Sequence, residues 1–144
     1  MLVGVDPILN GKLLLALDEM GHGDAVVIAD AHFTASKLAR KHLVDLPGLP
    51  SPRVLRAIRS VFVPDDYRDD QLVLMRGPDD NRLPVQDELV AEARVAEEHV
   101  SWLERFDFYD LAATAELVIR TGEVRTYGNA VFFKGVTPVP EAQS

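Results

Sequence analysis

Two short stretches near the start of the chain carry side chains suited to proton transfer. His22 stands between Gly21 and Gly23, and Asp30 and His32 follow an uninterrupted apolar run. Glycines on both sides leave an imidazole sterically unobstructed, and histidine titrates near neutral pH. A carboxylate directly after a buried run must be paired, solvated or placed in a pocket. The plainer interpretation makes His22 an exposed loop residue and Asp30 a turn or cap residue, so the pattern alone leaves both open.

Two stretches nearer the end of the chain carry groups suited to binding hydroxyls. Arg105 precedes an aromatic segment, and Tyr127, Gly128 and Asn129 stand together before an apolar run. A guanidinium fork, a phenol, a side-chain amide and exposed backbone supply the mixed donors and acceptors that a polyhydroxylated ligand requires. The plainer interpretations are an arginine at a helix C-terminus, where the helix dipole favours it, and an ordinary turn.

A metal-dependent site is the rival chemistry for the first two stretches. His22, Asp30 and His32 could together supply two histidines and one carboxylate. Their spacing matches no helical pair of histidine ligands, and the chain has no cysteine to supply a thiolate. We therefore predict that no metal is bound. The sequence also lacks a phosphate-binding glycine loop, a dinucleotide fingerprint and a nucleophile elbow, so no cofactor is predicted.

Composition limits the class of protein. The 144 residues include 47% hydrophobic and 26% charged residues, which is typical of a globular domain with a core of its own. The net charge of -8 disfavours a nucleic acid partner, because an acidic surface repels phosphates. No apolar run is long enough to cross a bilayer, so no membrane partner is expected. The N-terminus has no signal-peptide pattern, and we expect a cytoplasmic location.

Helical periodicity and capping residues predict the helices that position these side chains. Asn10 is expected to cap a helix that ends at Gly21, and Thr34 to cap a short helix that reaches Arg40. Further helices are predicted from Ser51 to about Phe62, from Pro84 to Val100 as the longest of the chain, and over residues 107–115.

Apolar runs between the helices predict strands over residues 25–29, 72–75, 117–119 and 130–133, the last two as a hairpin-like pair. Strands that alternate with helices indicate an α/β fold, a single compact domain whose small sheet is covered by helices. The domain is expected to span residues 1–144, with a frayed tail at 138–144. His22 and Asp30 stand at opposite ends of the first strand, so one subunit is not expected to bring them together without a loop that folds back.

Four stretches, taken as a set, resemble the fucose mutarotase and ribose pyranase family of sugar-binding proteins. They occur in family order from the first residues nearly to the last, and each alone would be a weak signal. The stretches are Gly4-Val5-Asp6-Pro7-Ile8-Leu9 leading to Glu19-Met20-Gly21-His22-Gly23-Asp24; Asp30-Ala31-His32-Phe33; Arg105-Phe106-Asp107-Phe108-Tyr109; and Thr121-Gly122-Glu123 followed by Tyr127-Gly128-Asn129 and Lys134-Gly135-Val136.

The resemblance implies an isomerase that interconverts the α and β anomers of a free monosaccharide without a cofactor, with L-fucose as the leading substrate. It implies that His22 is the proton donor and that the sugar is bound by Asp30, Arg105, Tyr127, Gly128 and Asn129. It also implies a homo-oligomeric ring, such as a decamer of two pentamers, with sites at subunit junctions. A neighbouring subunit would then complete a site that one chain cannot.

The choice of branch within the family depends on a few positions. Arg105 and Gly128 favour the fucose mutarotase branch, because the ribose pyranase branch typically has histidine and alanine there. Thr34 and Phe133 depart from the family pattern, where a proline and a second lysine are common, but both lie outside the implied site. Ribose pyranase-type activity and sugar binding without catalysis are the alternatives. The second acid–base group stays open, with Tyr127 or a water relay as candidates.

Overall fold

Six strands and five helices make up the regular structure of residues 1–141, the part of the chain that the computed structural model describes. The strands are β1 (Ala25–Ala29), β2 (His42–Leu46), β3 (Leu72–Met75), β4 (Val100–Leu103), β5 (Leu117–Thr121) and β6 (Ala130–Phe133). The helices are α1 (Gly11–Glu19), α2 (Ala35–Leu38), α3 (Ser51–Val61), α4 (Pro84–Ala93) and α5 (Arg105–Ala112), with 3-10 turns at Pro78–Asp80 and Glu97–His99. In the expected frayed tail, residues 138–141 are exposed and irregular, and residues 142–144 lie outside the described part.

The strands form one mixed sheet in the order β2-β5-β1-β6-β3-β4. β1 pairs parallel to β5, with Val26 opposite Leu117, and antiparallel to β6, with Ala25 opposite Phe133. The expected hairpin between the last two strands is therefore wrong, because β1 lies between them. Every residue of β1 is buried, and such a strand is stable only inside a sheet that is covered on both faces.

Two hydrophobic clusters, one on each face of the sheet, confirm the predicted α/β domain. Alternate residues of β1 serve the two clusters: Val26 and Ile28 pack with α1, α3 and α4, whereas Val27 and Ala29 pack with α2 and α5. Packing on both faces therefore holds β1 in place and fixes the positions of its two ends. Within residues 1–141, no helix has both the length and the apolar character required to cross a lipid bilayer.

The predicted helix from Pro84 to Val100 is wrong in its second half. Helix α4 ends at Ala93 because Arg94 takes a left-handed conformation with φ of 53°. The chain then forms β4, which pairs parallel to β3, and the apolar residue Val100 belongs to this strand. Strand β2 was not predicted, and α2 is shorter than expected, with no side-chain cap from Thr34.

Helix α1 precedes the loop that leads into β1, and both of its ends are closed by side chains. As predicted, Asn10 caps α1, since its Oδ1 accepts a hydrogen bond of 3.0 Å from the amide of Leu13. The helix ends at Glu19, before the expected glycine, because Met20 is already extended. The Lys134 ammonium closes this end by donating to the carbonyls of Leu17 and Met20 at 2.8 and 2.7 Å.

Candidate active site

Polar side chains converge on a cavity of about 180 Å³ at the carboxyl end of β1. This position follows from the fold, because β1 ends here while β6, which runs antiparallel to it, begins here. We call this cavity the carboxylate pocket; it is lined by Asp30, His32, Phe33, Met75, Arg105, Tyr109, Thr126, Tyr127 and Asn129. Four of the six predicted site residues are therefore brought together: Asp30, Arg105, Tyr127 and Asn129.

Asp30 and Asn129 form a reciprocal pair at the base of the carboxylate pocket. The Asp30 amide donates to Asn129 Oδ1 at 2.7 Å, and Asn129 Nδ2 donates to Asp30 Oδ2 at 2.9 Å. The other carboxylate oxygen, Oδ1, accepts the amide hydrogen of His32 at 2.9 Å. Both side chains are buried, and burial raises the pKa of the Asp30 carboxyl although these donors partly offset the rise. A carboxylate held this rigidly is a preorganised acceptor for a hydroxyl.

Arg105 stands at the first residue of α5, so the plainer interpretation as a residue at a helix C-terminus is wrong. Its Nε donates to the Tyr109 hydroxyl, one helical turn on, at 2.9 Å. This hydrogen bond raises the pKa of the Arg105 guanidinium, which stays a cation. The guanidinium carbon lies 5.4 Å from the Tyr109 ring centroid, so Tyr109 orients an otherwise exposed fork toward the cavity.

Tyr127 is one of four non-glycine residues with positive φ in the described chain, and its φ is 65°. Such a conformation costs of order 1 kcal/mol or more and requires support from the surroundings. Gln86 gives that support from inside α4: its buried amide nitrogen donates to the Tyr127 carbonyl at 3.4 Å and to the Met75 carbonyl at 2.7 Å. Gln86 was not among the predicted site residues, since its one local signal is a glutamine at the third position of a helix.

Gly128 differs from its neighbours, because it does not line the carboxylate pocket. A Cβ placed on it would lie 2.8 Å from Glu123 Cγ and 3.1 Å from Ser51 Oγ. The absence of a side chain thus allows the loop before β6 to pack against the start of α3. Contact of Gly128 with a sugar stays a prediction, and in this position only its backbone atoms could make it.

His22 lies at the opposite end of β1 from the carboxylate pocket. Its Nε2 is 2.8 Å from Oδ1 of Asp65, whose side chain is 4% exposed against 44% for His22. The Tyr67 ring lies against the imidazole, with 5.0 Å between ring centroids. We call these three residues the histidine end. Asp65 was not among the predicted site residues, because it is far from His22 in sequence and stands beside a second aspartate, Asp66.

The distance along β1 separates the histidine end from the carboxylate pocket. At about 3.3 Å per residue, the five residues of β1 extend roughly 16 Å. No loop folds back within residues 1–141 to bring His22 among the residues that line the pocket. The same separation prevents His22, Asp30 and His32 of one chain from ligating a single metal ion. His32 itself is bonded through Nε2 to the Val124 carbonyl at 3.1 Å.

A larger cavity of about 300 Å³ lies beside β4 and is lined in part by Arg76, Arg82 and Trp102. Both arginines are already paired, Arg76 with Asp80 at 3.1 Å and Arg82 with Glu97 at 2.9 Å. Because its cations are neutralised, this cavity offers less to a polar ligand than the carboxylate pocket does, despite the difference in volume.

Comparison with known proteins gives consistent results over nearly the whole chain. Residues 3–137 match the model of the RbsD / FucU transport protein family. The chain is 39% identical to the L-fucose mutarotase of Haemophilus influenzae (strain PittGG), over 96% of this chain and 99% of that protein. Among solved structures it is similar to FucU from Bifidobacterium longum (TM-score 0.87, 34% identity, 94% and 99% of the two chains). It is also similar to the fucose mutarotase from Streptococcus pneumoniae in complex with L-fucose (TM-score 0.87, 28% identity, 95% and 100%).

Proposed function

The chain belongs to the RbsD / FucU transport protein family, and from this membership we propose that it is a sugar mutarotase acting on L-fucose. The reaction interconverts the α and β anomers of the free sugar. The observation that carries the proposal is the rigid Asp30–Asn129 pair beside Arg105, in a chain whose likeness to an L-fucose mutarotase covers 96% of its length. The enzyme is thus a carbohydrate isomerase, and we expect it to act in the cytoplasm.

Mutarotation needs only proton transfers, which matches the groups at hand. The anomeric hydroxyl loses a proton while the ring oxygen gains one, and the cyclic hemiacetal opens to a free aldehyde. Rotation of the carbonyl and closure on its other face return both protons, so no cofactor is required. We propose that His22 carries one of these protons. Asp30 accepts from a sugar hydroxyl, and Arg105 donates to sugar oxygens through the guanidinium hydrogens not used by Tyr109.

The walls of the carboxylate pocket favour a 6-deoxy sugar over ribose. Phe33 and Met75 are buried side chains that line it together with the charged groups. An apolar wall suits a methyl group, which ribose lacks. Arg105 and Gly128 point to the same branch of the family. Ribose pyranase-type activity remains the alternative activity, and sugar binding without catalysis the alternative class.

We propose that the complete site forms between two subunits of a homo-oligomer. A sugar spans only a few ångströms, whereas the histidine end and the carboxylate pocket of one chain are separated by the length of β1. Exposed apolar side chains flank both parts: Tyr67 is 80% exposed at the histidine end, and Phe106 (72%) and Val124 (74%) lie beside the pocket. These exposed side chains are available for a neighbouring subunit to cover. A ring, with a decamer of two pentamers as one such assembly, would bring each histidine end to a neighbour's pocket.

Magnetisation-exchange NMR on equilibrated L-fucose tests the proposal directly. We expect the protein to accelerate exchange between the α and β anomeric protons, and D-ribose to exchange more slowly. His22→Ala should abolish the acceleration while sugar binding partly survives. The matched control is His42→Ala, which removes another histidine paired with a carboxylate, Glu19 at 2.9 Å, away from the pocket. Saturation transfer to L-fucose without faster exchange would leave only the binding alternative.

A further inference from the structure

We propose that Asp65 is a positioning residue that fixes the tautomer and orientation of His22, so that Nδ1 is the nitrogen that exchanges a proton with the sugar. This inference rests on the proposed function and adds a residue to its machinery. It also names which of the two imidazole nitrogens reacts.

The contact between the two side chains determines where the imidazole proton lies. His22 Nε2 is 2.8 Å from Asp65 Oδ1. An ionised carboxylate is only an acceptor, so Nε2 must carry the hydrogen that it donates. In the neutral imidazole the lone pair then stands on Nδ1, which makes no hydrogen bond within residues 1–141. Since the His22 side chain is 44% exposed, this nitrogen is free to meet a ligand.

Asp65 is itself held in place by the chain around it. Its Oδ1 also accepts the amide hydrogen of Tyr67 at 3.1 Å, and its own amide donates to the Phe133 carbonyl at 3.1 Å. The preceding residue, Pro64, forms a bridge with Lys134. A Cβ on Gly135 would lie 2.2 Å from the Pro64 carbonyl oxygen, so only glycine permits this close backbone approach.

The loop that carries His22 is tied to the same strand end. The Gly23 amide donates to the Lys134 carbonyl at 2.8 Å, and the Lys134 amide donates to the Asp24 carbonyl at 2.9 Å. Lys134 therefore contacts the loop that carries His22 on one side and the segment that carries Asp65 on the other. The backbones of three segments therefore fix the positions of His22 and Asp65, from which their side chains meet at 2.8 Å.

An exposed histidine–carboxylate pair in the same chain differs from the His22–Asp65 pair in its burial. His42 Nε2 lies 2.9 Å from Glu19 Oε2, nearly the same separation, but the two side chains are 31% and 45% exposed. Exposed pairs of this kind contribute little and are readily exchanged for water. Burial of Asp65 to 4% exposure gives the His22 pair a fixed geometry that the surface pair lacks.

The arrangement supplies what ring opening requires. When Nδ1 takes the proton of the anomeric hydroxyl, the imidazole becomes an imidazolium, whose charge the nearby Asp65 carboxylate stabilises, and the sugar's ring oxygen takes a proton from the second acid–base group. On closure Nδ1 returns its proton to the aldehyde oxygen, the ring hydroxyl gives its proton back to the second group, and Nε2 keeps its hydrogen throughout. Without the carboxylate, the neutral imidazole divides between two tautomers, and only one of them has a lone pair on Nδ1. Asp65 therefore acts through His22, on kcat rather than on sugar binding.

Two variants of the full chain are the test: Asp65→Ala removes the acceptor of the Nε2 hydrogen, and Asp65→Asn keeps an acceptor oxygen but loses the charge. Long-range ¹H–¹⁵N spectra of the imidazoles, with the His22 signals assigned by their loss in His22→Ala, should show the hydrogen on Nε2 in the wild type and a mixture of tautomers in Asp65→Ala. In both variants, L-fucose exchange should show kcat lower by at least about tenfold with KM nearly unchanged. Glu19→Gln and Asp66→Asn are the controls: one breaks the surface pair, and the other removes an exposed charge beside Asp65. Both should leave the two readouts unchanged.

The outcomes separate this inference from the proposed function. A wild-type His22 with its hydrogen on Nδ1 would overturn the inference even if the variant failed to fold. So would an Asp65→Asn protein with unchanged kcat. If the wild type accelerates exchange and His22→Ala abolishes it, either result leaves the mutarotase proposal standing. Absence of exchange in the wild type would instead refute the mutarotase proposal, while the tautomer measurement would still report on the pair.

Discussion

Complementation between two inactive variants tests whether the site is shared by two subunits. His22→Ala removes the histidine end, and Arg105→Ala removes a cation from the carboxylate pocket. Both side chains are exposed in the single chain, so both variants should fold. Each variant alone should be inactive or nearly so. If the two parts of a site come from different subunits, a mixed oligomer contains junctions at which both parts are intact.

The expected recovery follows from counting junctions. With equal amounts of the two chains, half of the junctions take the histidine end from a chain that has His22. Half of those take the pocket from a chain that has Arg105. Random assembly therefore restores about one quarter of the sites, because in a head-to-tail contact each junction draws different surfaces from its two subunits. A site built within one chain would restore none, since every chain lacks either His22 or Arg105.

The two variants are denatured together, refolded as a mixture, and assayed for L-fucose anomer exchange by NMR. Native mass spectrometry of chains of distinguishable mass establishes that they have co-assembled. The control mixes His22→Ala with the double variant His22→Ala/Arg105→Ala, in which no junction can be intact. Co-assembled oligomers without recovered exchange would refute the argument that β1 holds the two parts too far apart for one chain to use.

Three further changes probe the interior of the site. Gln86→Met should destabilise the protein by about 3 kcal/mol, because it leaves the Met75 carbonyl without its partner; an unchanged urea midpoint at fixed protein concentration would contradict this. Burial raises the pKa of Asp30, so its stabilising contribution is complete below the unfolded pKa near 3.8 and is lost as the pH rises through the folded value. Asp30→Asn should therefore flatten the decline of unfolding free energy with pH above about 3.8, and an unaltered slope would refute this. Arg105→Lys should raise the KM for L-fucose by about tenfold with little change in kcat, because lysine lacks the fork that binds both Tyr109 and sugar oxygens; a lower kcat at constant KM would contradict this.

Local sequence signals predicted the elements that carry the carboxylate pocket. The apolar runs of β1 and β3 have the bounds that hydrophobicity alone suggests, and the Ser-Pro pair at residues 51–52 begins α3 as expected. Asp30 was a candidate because it directly follows a buried strand, but only the family resemblance implied that it binds a sugar. Its pairing with Asn129, 99 residues away, was not predicted, because the resemblance implied only that each residue binds the sugar.

Features that depend on distant pairing could not be predicted. The last two strands resemble a hairpin in sequence, but β1 lies between them in the sheet, and all of its residues are buried. Helix periodicity continues past Ala93, yet Arg94 leaves the helix because the following residues pair with β3. Asp65 meets His22 across 43 residues of chain, and nothing local distinguishes it from Asp66 beside it.

The position of the histidine end and the carboxylate pocket at opposite ends of β1 also has a consequence for inheritance. In the proposed ring, a chain that is defective in both the histidine end and the carboxylate pocket would spoil two junctions, one with each neighbour, and a normal chain could not repair either. In a cell that makes normal and defective chains in equal amounts, about one quarter of the junctions stay intact, although half of the chains are normal. An allele whose product still assembles but is defective in both parts would therefore be partly dominant, whereas an allele that prevents folding would be recessive.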